Sequence, residues 1–189
     1  MDQKTNQKGI AIFGFSEAKP EEKDYQDAYQ TAKLLAQEGF VIVNGGGPGI
    51  MRAASEGAKA GGGKAIGVTF NPKGMTNFEG RDPNNPADEV IVAGNYMERT
   101  LKLLEMGDAY IIFNGGTGTI SEFGMAWGLA RLYFGHHKPL ILFGEWWHEI
   151  MEAFAQNMRL RPEELQVYRI VTIPEEAVEE VMRLIVKSE

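Results

Sequence analysis

The sequence predicts one α/β domain: a doubly wound parallel sheet of about seven strands with helices on both faces. Two observations predict the class, and a third places its working edge. Apolar runs of strand length alternate with amphipathic segments of helix length throughout the chain. Most of these runs are apolar at nearly every position, as strands buried on both faces must be. Two glycine-rich loops, 44–49 and 115–119, each follow such a run and precede a helix. Right-handed crossovers then bring both loops to the carboxyl edge of one sheet, a Rossmann-like arrangement.

Taken in order, the first run covers 9–15 and leads into a helix over 21–38. The second run, 40–43, ends at the first glycine loop, and a helix over 49–61 follows. The third, 65–70, opens onto an irregular stretch, 71–88, rich in Asn, Pro, Gly and charge. A loop of that length in a compact domain reads equally as a lid over the carboxyl edge or as a mobile surface insert. A fourth run, 89–93, precedes a helix over 95–106. A fifth, 109–113, ends at the second glycine loop and a helix over 119–133. The sixth, 139–143, is followed by a helix over 146–159, and the seventh is 170–173. The last helix, 174–187, opens with Pro174, Glu175 and Glu176: proline suits the first helical position, and acids suit the positive dipole end.

No repeat, linker or shift of composition divides the 189 residues, so a single nucleotide-binding domain over 1–189 is expected, with 1–8 disordered. The 43% hydrophobic content supports a packed core. Its longest apolar stretches fall far short of the roughly 20 residues a membrane span needs. The polar start has no apolar segment of the kind a signal peptide carries. Without cysteine there are no disulfides and no thiolate metal sites, and a cytoplasmic location is expected. The net charge of −7 is spread along the chain, which disfavours nucleic-acid and membrane surfaces as partners. A small anion held by backbone amides and an arginine remains open.

The loop Asn44-Gly45-Gly46-Gly47-Pro48-Gly49 is neither a Walker A loop nor a G-x-G-x-x-G fingerprint. Its glycines allow close backbone approach, and the next helix aims N–H groups at a ligand; a plain tight turn is the alternative. Gly115-Gly116-Thr117-Gly118-Thr119 repeats the device and adds two hydroxyls. Glu122 has two readings. Thr119-Ile120-Ser121-Glu122 fits a capping box, whereas a carboxylate one turn into this helix overlooks the anion site. Arg99 stands near a helix start, a poor place for a positive charge unless it clamps an anion, faces solvent or pairs with Glu98. His148 and Glu152 share a helix face without a third ligand, so no metal site is expected.

In order along the chain these motifs are Gly45-Gly46-Gly47-Pro48-Gly49-Ile50-Met51, Gly61-Gly62-Gly63-Lys64-Ala65-Ile66-Gly67-Val68, Met97 with Arg99, and Gly115-Gly116-Thr117-Gly118-Thr119 with Glu122. The combination resembles the Lonely Guy family of cytokinin-type nucleoside 5′-monophosphate phosphoribohydrolases, over about residues 9–154. The resemblance implies hydrolysis of the N-glycosidic bond of AMP or an N6-substituted AMP, with Glu122 and Arg99 catalytic. It implies that Gly115, Gly116, Thr117, Gly118 and Thr119 hold the phosphate while Ser16, Gly46 and Gly47 line the pocket. It further implies no metal or redox cofactor, and a homodimer through helices 95–106 and 119–133. Molybdenum-cofactor carriers resemble the same loops, so a non-catalytic carrier or sensor is the alternative. Two positions depart from the family pattern: Asn114 replaces a proline before the second loop, and Thr100 replaces a lysine after Arg99.

Overall fold

The computed structural model describes residues 7–75 and 80–186. Seven strands form one sheet: β1 (Gly9–Phe13), β2 (Val41–Asn44), β3 (Ala65–Phe70), β4 (Glu89–Ala93), β5 (Ala109–Ile112), β6 (Leu140–Phe143) and β7 (Tyr168–Val171). Six helices connect and follow them: α1 (Lys23–Gln37), α2 (Ile50–Ala60), α3 (Tyr96–Met106), α4 (Thr117–Leu132), α5 (Trp146–Asn157) and α6 (Pro174–Val186), with a short 3₁₀ turn at Pro162–Leu165.

Every strand pair is parallel, in the order β4-β3-β2-β1-β5-β6-β7. The chain winds outward from β1 to β4, returns through α3 to the other side of β1, and winds outward again. Strand order therefore reverses between β1 and β5, and a crevice opens beyond their carboxyl ends. The central strands β1, β2, β5 and β6 are buried at every position, which is why they read as unbroken apolar runs. The edge strand β4 exposes Glu89 and Val92.

Alternate residues of the central strands feed two cores. Ile10, Ile12, Ile42 and Ile111 pack against α1, α2 and α6 on one face. Ala11, Phe13, Val43 and Ile112 pack against α3, α4 and α5 on the other. Trp147 is fully buried in the second core and donates its indole N–H to the Ile112 carbonyl at 3.1 Å, so its one polar atom is satisfied. Phe123 of α4 is buried against Trp147 of α5 with ring centres 4.8 Å apart, and burying such a ring contributes about 1.5–3 kcal/mol.

Most boundaries shift by one or two residues from the sequence expectation, and three of the shifts bear on the site or the sheet. The first strand stops at Phe13, and Phe15 turns outward, 43% exposed. The fourth helix begins at Thr117 instead of 119. The seventh strand is 168–171 because Tyr168 and Arg169 pair with Leu140 and Ile141, while Ile173 is left outside. Of the stretch expected to be disordered, 1–6 lies outside the described residues; Lys8 accepts the Val41 N–H at 3.0 Å beside the start of β1. Among the described residues no helix is long and apolar enough to cross a membrane.

Candidate functional site

At the end of β2 the buried Asn44 carries the loop. Its amide donates to Ser55 Oγ at 2.8 Å, and its Oδ1 accepts the Gly46 N–H at 2.8 Å, which curls the chain back on itself. Gly49 then starts α2 at φ +63°, with its Cα against the carbonyls of Phe15 and Ser16. Neither the dihedral nor the space admits a side chain, so glycine is required there. The Ile50 N–H donates to Phe15 O at 3.0 Å, joining this loop to the one after β1.

The β1 and β5 loops are joined at the switch point itself. Phe113 N–H donates to Phe13 O at 2.8 Å, and Phe15 N–H donates to Asn114 O at 2.7 Å. The second of these uses only the Asn114 carbonyl, which a proline would also provide, so the substitution keeps this tie. Beyond it α4 starts on Gly116, with no side chain capping its first turn. The N–H groups of that turn and the dipole of a sixteen-residue helix are thereby available to an anion in the crevice.

Arg99 and Glu122 meet here. The Arg99 guanidinium, on the first turn of α3, donates from Nη1 to Glu122 Oε1 at 3.1 Å and from Nε to the Val68 carbonyl at 3.0 Å. Both residues are buried, at 5% and 6% exposure. The solvated-arginine and Glu98-partner readings are thus excluded: Glu98 instead accepts from the Gly94 N–H and the Asn95 amide at the start of α3. The capping-box reading of Glu122 is excluded too, since it lies well inside α4 and not three residues after the cap. Burial raises the Glu122 carboxyl to about 7, with the Arg99 charge and hydrogen bond opposing that rise.

The crevice encloses about 810 Å³. Of the residues expected there, Ser16, Arg99, Gly116, Thr117, Gly118, Thr119 and Glu122 line it. Gly46, Gly47 and Gly115 do not. Gly46 O accepts the Asp82 N–H at 3.0 Å and Gly47 O accepts from the Asn85 amide at 2.9 Å, so the tip of the first loop is turned towards residues 82–85. Gly115 packs on the Thr119 side chain. In their place Gly45, Met51, Tyr96, Ser121 and Glu17 reach the wall. Gly45 and Met51 were findable as neighbours of the glycine loop; Tyr96 and Ser121 carry no local signal, since only the packing of α3 on α4 joins them. Of the stretch 71–88, residues 76–79 lie outside the described residues; Gly74 and Met75 line the crevice, whereas Asp82 sits 3.6 Å from Arg52 of α2. Thr100 is buried, bonds back to the Tyr96 carbonyl at 3.2 Å and does not line the crevice. Among the described residues no three His, Asp or Glu side chains gather as metal ligands.

A sheet wound both ways from a central crevice, with an uncapped helix start and a buried Arg–Glu pair on its inner wall, defines a Rossmann-like protein with a crevice at its switch point. Within that class, the chain belongs to the SLOG cluster4 family, whose model matches residues 7–170. An uncharacterized protein of Archaeoglobus fulgidus is 30% identical over 135 residues, 71% of this chain and 83% of that one. A cytokinin riboside 5′-monophosphate phosphoribohydrolase of Mycobacterium tuberculosis is 35% identical over 123 residues, covering 64% of this chain and 63% of that enzyme. The chain therefore matches under two thirds of that relative's length. Among solved structures, the molybdenum cofactor binding protein of Rippkaea orientalis superposes with a TM-score of 0.72 at 28% identity, over 96% of this chain and 99% of the other.

Proposed function

We propose that the protein hydrolyses the N-glycosidic bond of a nucleoside 5′-monophosphate, AMP or an N6-substituted AMP, releasing free base and ribose 5-phosphate. The observation that carries this reading is the buried Arg99–Glu122 pair beside the uncapped start of α4. A 5′-phosphate suits the first-turn N–H groups of Thr117, Gly118 and Thr119, with the threonine hydroxyls as further donors. One turn deeper, Glu122 faces the position of the sugar. Loss of the base leaves an oxocarbenium-like carbon, and a nearby carboxylate stabilises that charge or takes a proton from the attacking water. Its raised pKa suits the second role near neutral pH. Arg99, held on both sides by Val68 O and Glu122, fixes the carboxylate and offers positive charge to the substrate. The name of the Mycobacterium tuberculosis relative supports the same chemistry.

The family resemblance extends the proposal to a homodimer built on α3 and α4. Met97, Leu101, Ile120, Leu129, Leu132, Tyr133 and Phe134 are all at least 36% exposed on these helices or just beyond α4, an apolar surface suited to a second copy.

A second reading has its own support. The Rippkaea orientalis protein matches nearly the whole chain, and its name describes cofactor binding. In that case the crevice carries a molybdenum-cofactor-type cargo or senses a nucleotide, and Glu122 is structural. A product assay separates the two. AMP, GMP, CMP and isopentenyl-AMP are incubated with the protein and with Glu122→Gln, and free base and ribose 5-phosphate are quantified. Release that vanishes in the variant supports the hydrolase. Tight binding without release, unaltered by the variant, supports the carrier.

A further inference from the structure

The Arg99–Glu122 pair has a neighbour that neither the motifs nor the proposed chemistry uses. One turn before Arg99, Tyr96 reaches from α3 to α4, and its hydroxyl stands 3.0 Å from Ser121 Oγ. The crevice is therefore crossed by two rungs, Arg99–Glu122 on the inside and Tyr96–Ser121 towards the mouth. The direction of the outer hydrogen bond follows from proton counting. Ser121 Oγ lies 2.8 Å from the Gly118 carbonyl, which can only accept, so the single serine proton is committed there. Ser121 must then accept from Tyr96. With its proton spent, the Tyr96 oxygen offers only lone pairs to anything entering the crevice. It is an acceptor, and it selects a donor.

The position of that acceptor identifies which donor it meets. A Cβ placed on Gly118, in the first turn of α4, would stand 3.7 Å from the Tyr96 hydroxyl, so this oxygen sits beside the turn assigned to phosphate. On its other side are Arg99 and Glu122, assigned to the glycosidic carbon. In a nucleoside 5′-monophosphate the group between phosphate and glycosidic bond is the pentose, and its donors are hydroxyls. Packing holds Tyr96 in place, with its ring edge-on against Phe70 at 5.9 Å and the Arg99 guanidinium 6.0 Å from the ring centre. We infer that Tyr96 is a specificity residue, accepting a hydrogen bond from the 2′-hydroxyl next to the reacting carbon and selecting ribonucleotides over 2′-deoxyribonucleotides. The inference rests on the nucleotide reading of the crevice but not on turnover.

The test compares AMP with 2′-deoxy-AMP on the wild type, Tyr96→Phe and Ser121→Ala, by kcat/KM from base release and by calorimetric affinity. Because the two sugars differ in intrinsic lability, the quantity read is the change in the ribo-to-deoxy ratio between proteins. Tyr96→Phe keeps the ring and its packing. It is expected to lower the ratio about tenfold, the value of one hydrogen bond, by weakening AMP and leaving 2′-deoxy-AMP unchanged. Ser121→Ala frees the tyrosine proton to turn into the crevice, and the ratio is expected to fall there as well with the tyrosine still present. A ratio identical in the wild type and Tyr96→Phe overturns the inference and leaves the hydrolase standing. If no base is released but the binding ratio still depends on Tyr96, the hydrolase reading falls and the inference holds. Failure of AMP to bind overturns it outright.

Discussion

The chemistry of the site turns on a carboxylate that its surroundings would prefer neutral. Glu122 is raised from its ordinary value of 4.5 to about 7, because burial penalises its charge more than Arg99 rewards it. Two consequences carry opposite signs. If ionised Glu122 takes the proton from water, kcat/KM rises with pH and levels off above about 7, and Glu122→Gln loses a factor of about 10²–10⁴. A flat profile between pH 5.5 and 8 would count against the general-base role. For folding, a raised carboxyl contributes stability that is fully present below 4.5 and is lost as pH rises through about 7. Arg99→Met sharpens that dependence, because it leaves Glu122 buried without its cation. At pH 5.5 the carboxyl escapes the cost by taking a proton. At pH 8, where the wild-type carboxylate is ionised against Arg99, the variant must bury that charge alone or bind a proton against the pH, so its loss of stability relative to the wild type is expected to be larger than at pH 5.5. Chemical denaturation at both pH values checks this, and equal losses would show that the pair is not electrostatically coupled in this way.

At the scale of elements, the site is made by backbone that glycine permits. Gly45 illustrates it: a Cβ there would overlap the Arg99 guanidinium and the Met51 sulfur. Gly45→Ala is therefore expected to displace Arg99 from Glu122 and to lower kcat/KM at least tenfold, with a smaller loss of stability, since Met51 is flexible and can move. Unchanged kinetics with an unchanged thermal midpoint would mean that Arg99 has another productive position. The same elements mark what the sequence made legible. Strands β1, β2, β5 and β6 were readable because burial on both faces leaves no polar alternation, and the glycine loops because each interrupts such a run. The start of α4 misled, because Thr119 to Glu122 fits a capping pattern while the true cap is a glycine that leaves no side-chain trace. Arg99 and Glu122 were each visible alone. Their contact spans 23 residues and that of Tyr96 with Ser121 spans 25, and both depend on how α3 and α4 pack. Gly46 and Gly47 were misplaced for a related reason: their partners, Asp82 and Asn85, come from a loop whose course carries no periodic signal.

At the scale of the whole molecule, the two windings of the sheet give its faces different roles. α1, α2 and α6 close one face, whereas on the other α3 and α4 supply both the site and an unpartnered apolar surface. Two glycines on α4 give this surface a test. Gly124 and Gly128 lie one turn apart on the exposed side, and a Cβ added to either meets nothing within 4 Å. An exposed glycine inside a helix costs about 1 kcal/mol relative to alanine. If this face stays open to water, Gly124→Ala and Gly128→Ala should each stabilise the monomer by about that amount and leave its mass in solution unchanged. If the proposed dimer forms, the glycines allow two copies of α4 to approach closely, and the added methyl groups stand in the contact. The expected outcome is then weaker association, seen as a concentration-dependent shift from dimer to monomer in sedimentation or light scattering, despite the higher helix propensity. Leu132→Glu, at a position 67% exposed and hence free of cost to the fold, should break the same dimer by charge. A wild type that remains monomeric at high concentration would remove the dimer from the proposal while leaving the crevice between β1 and β5 untouched.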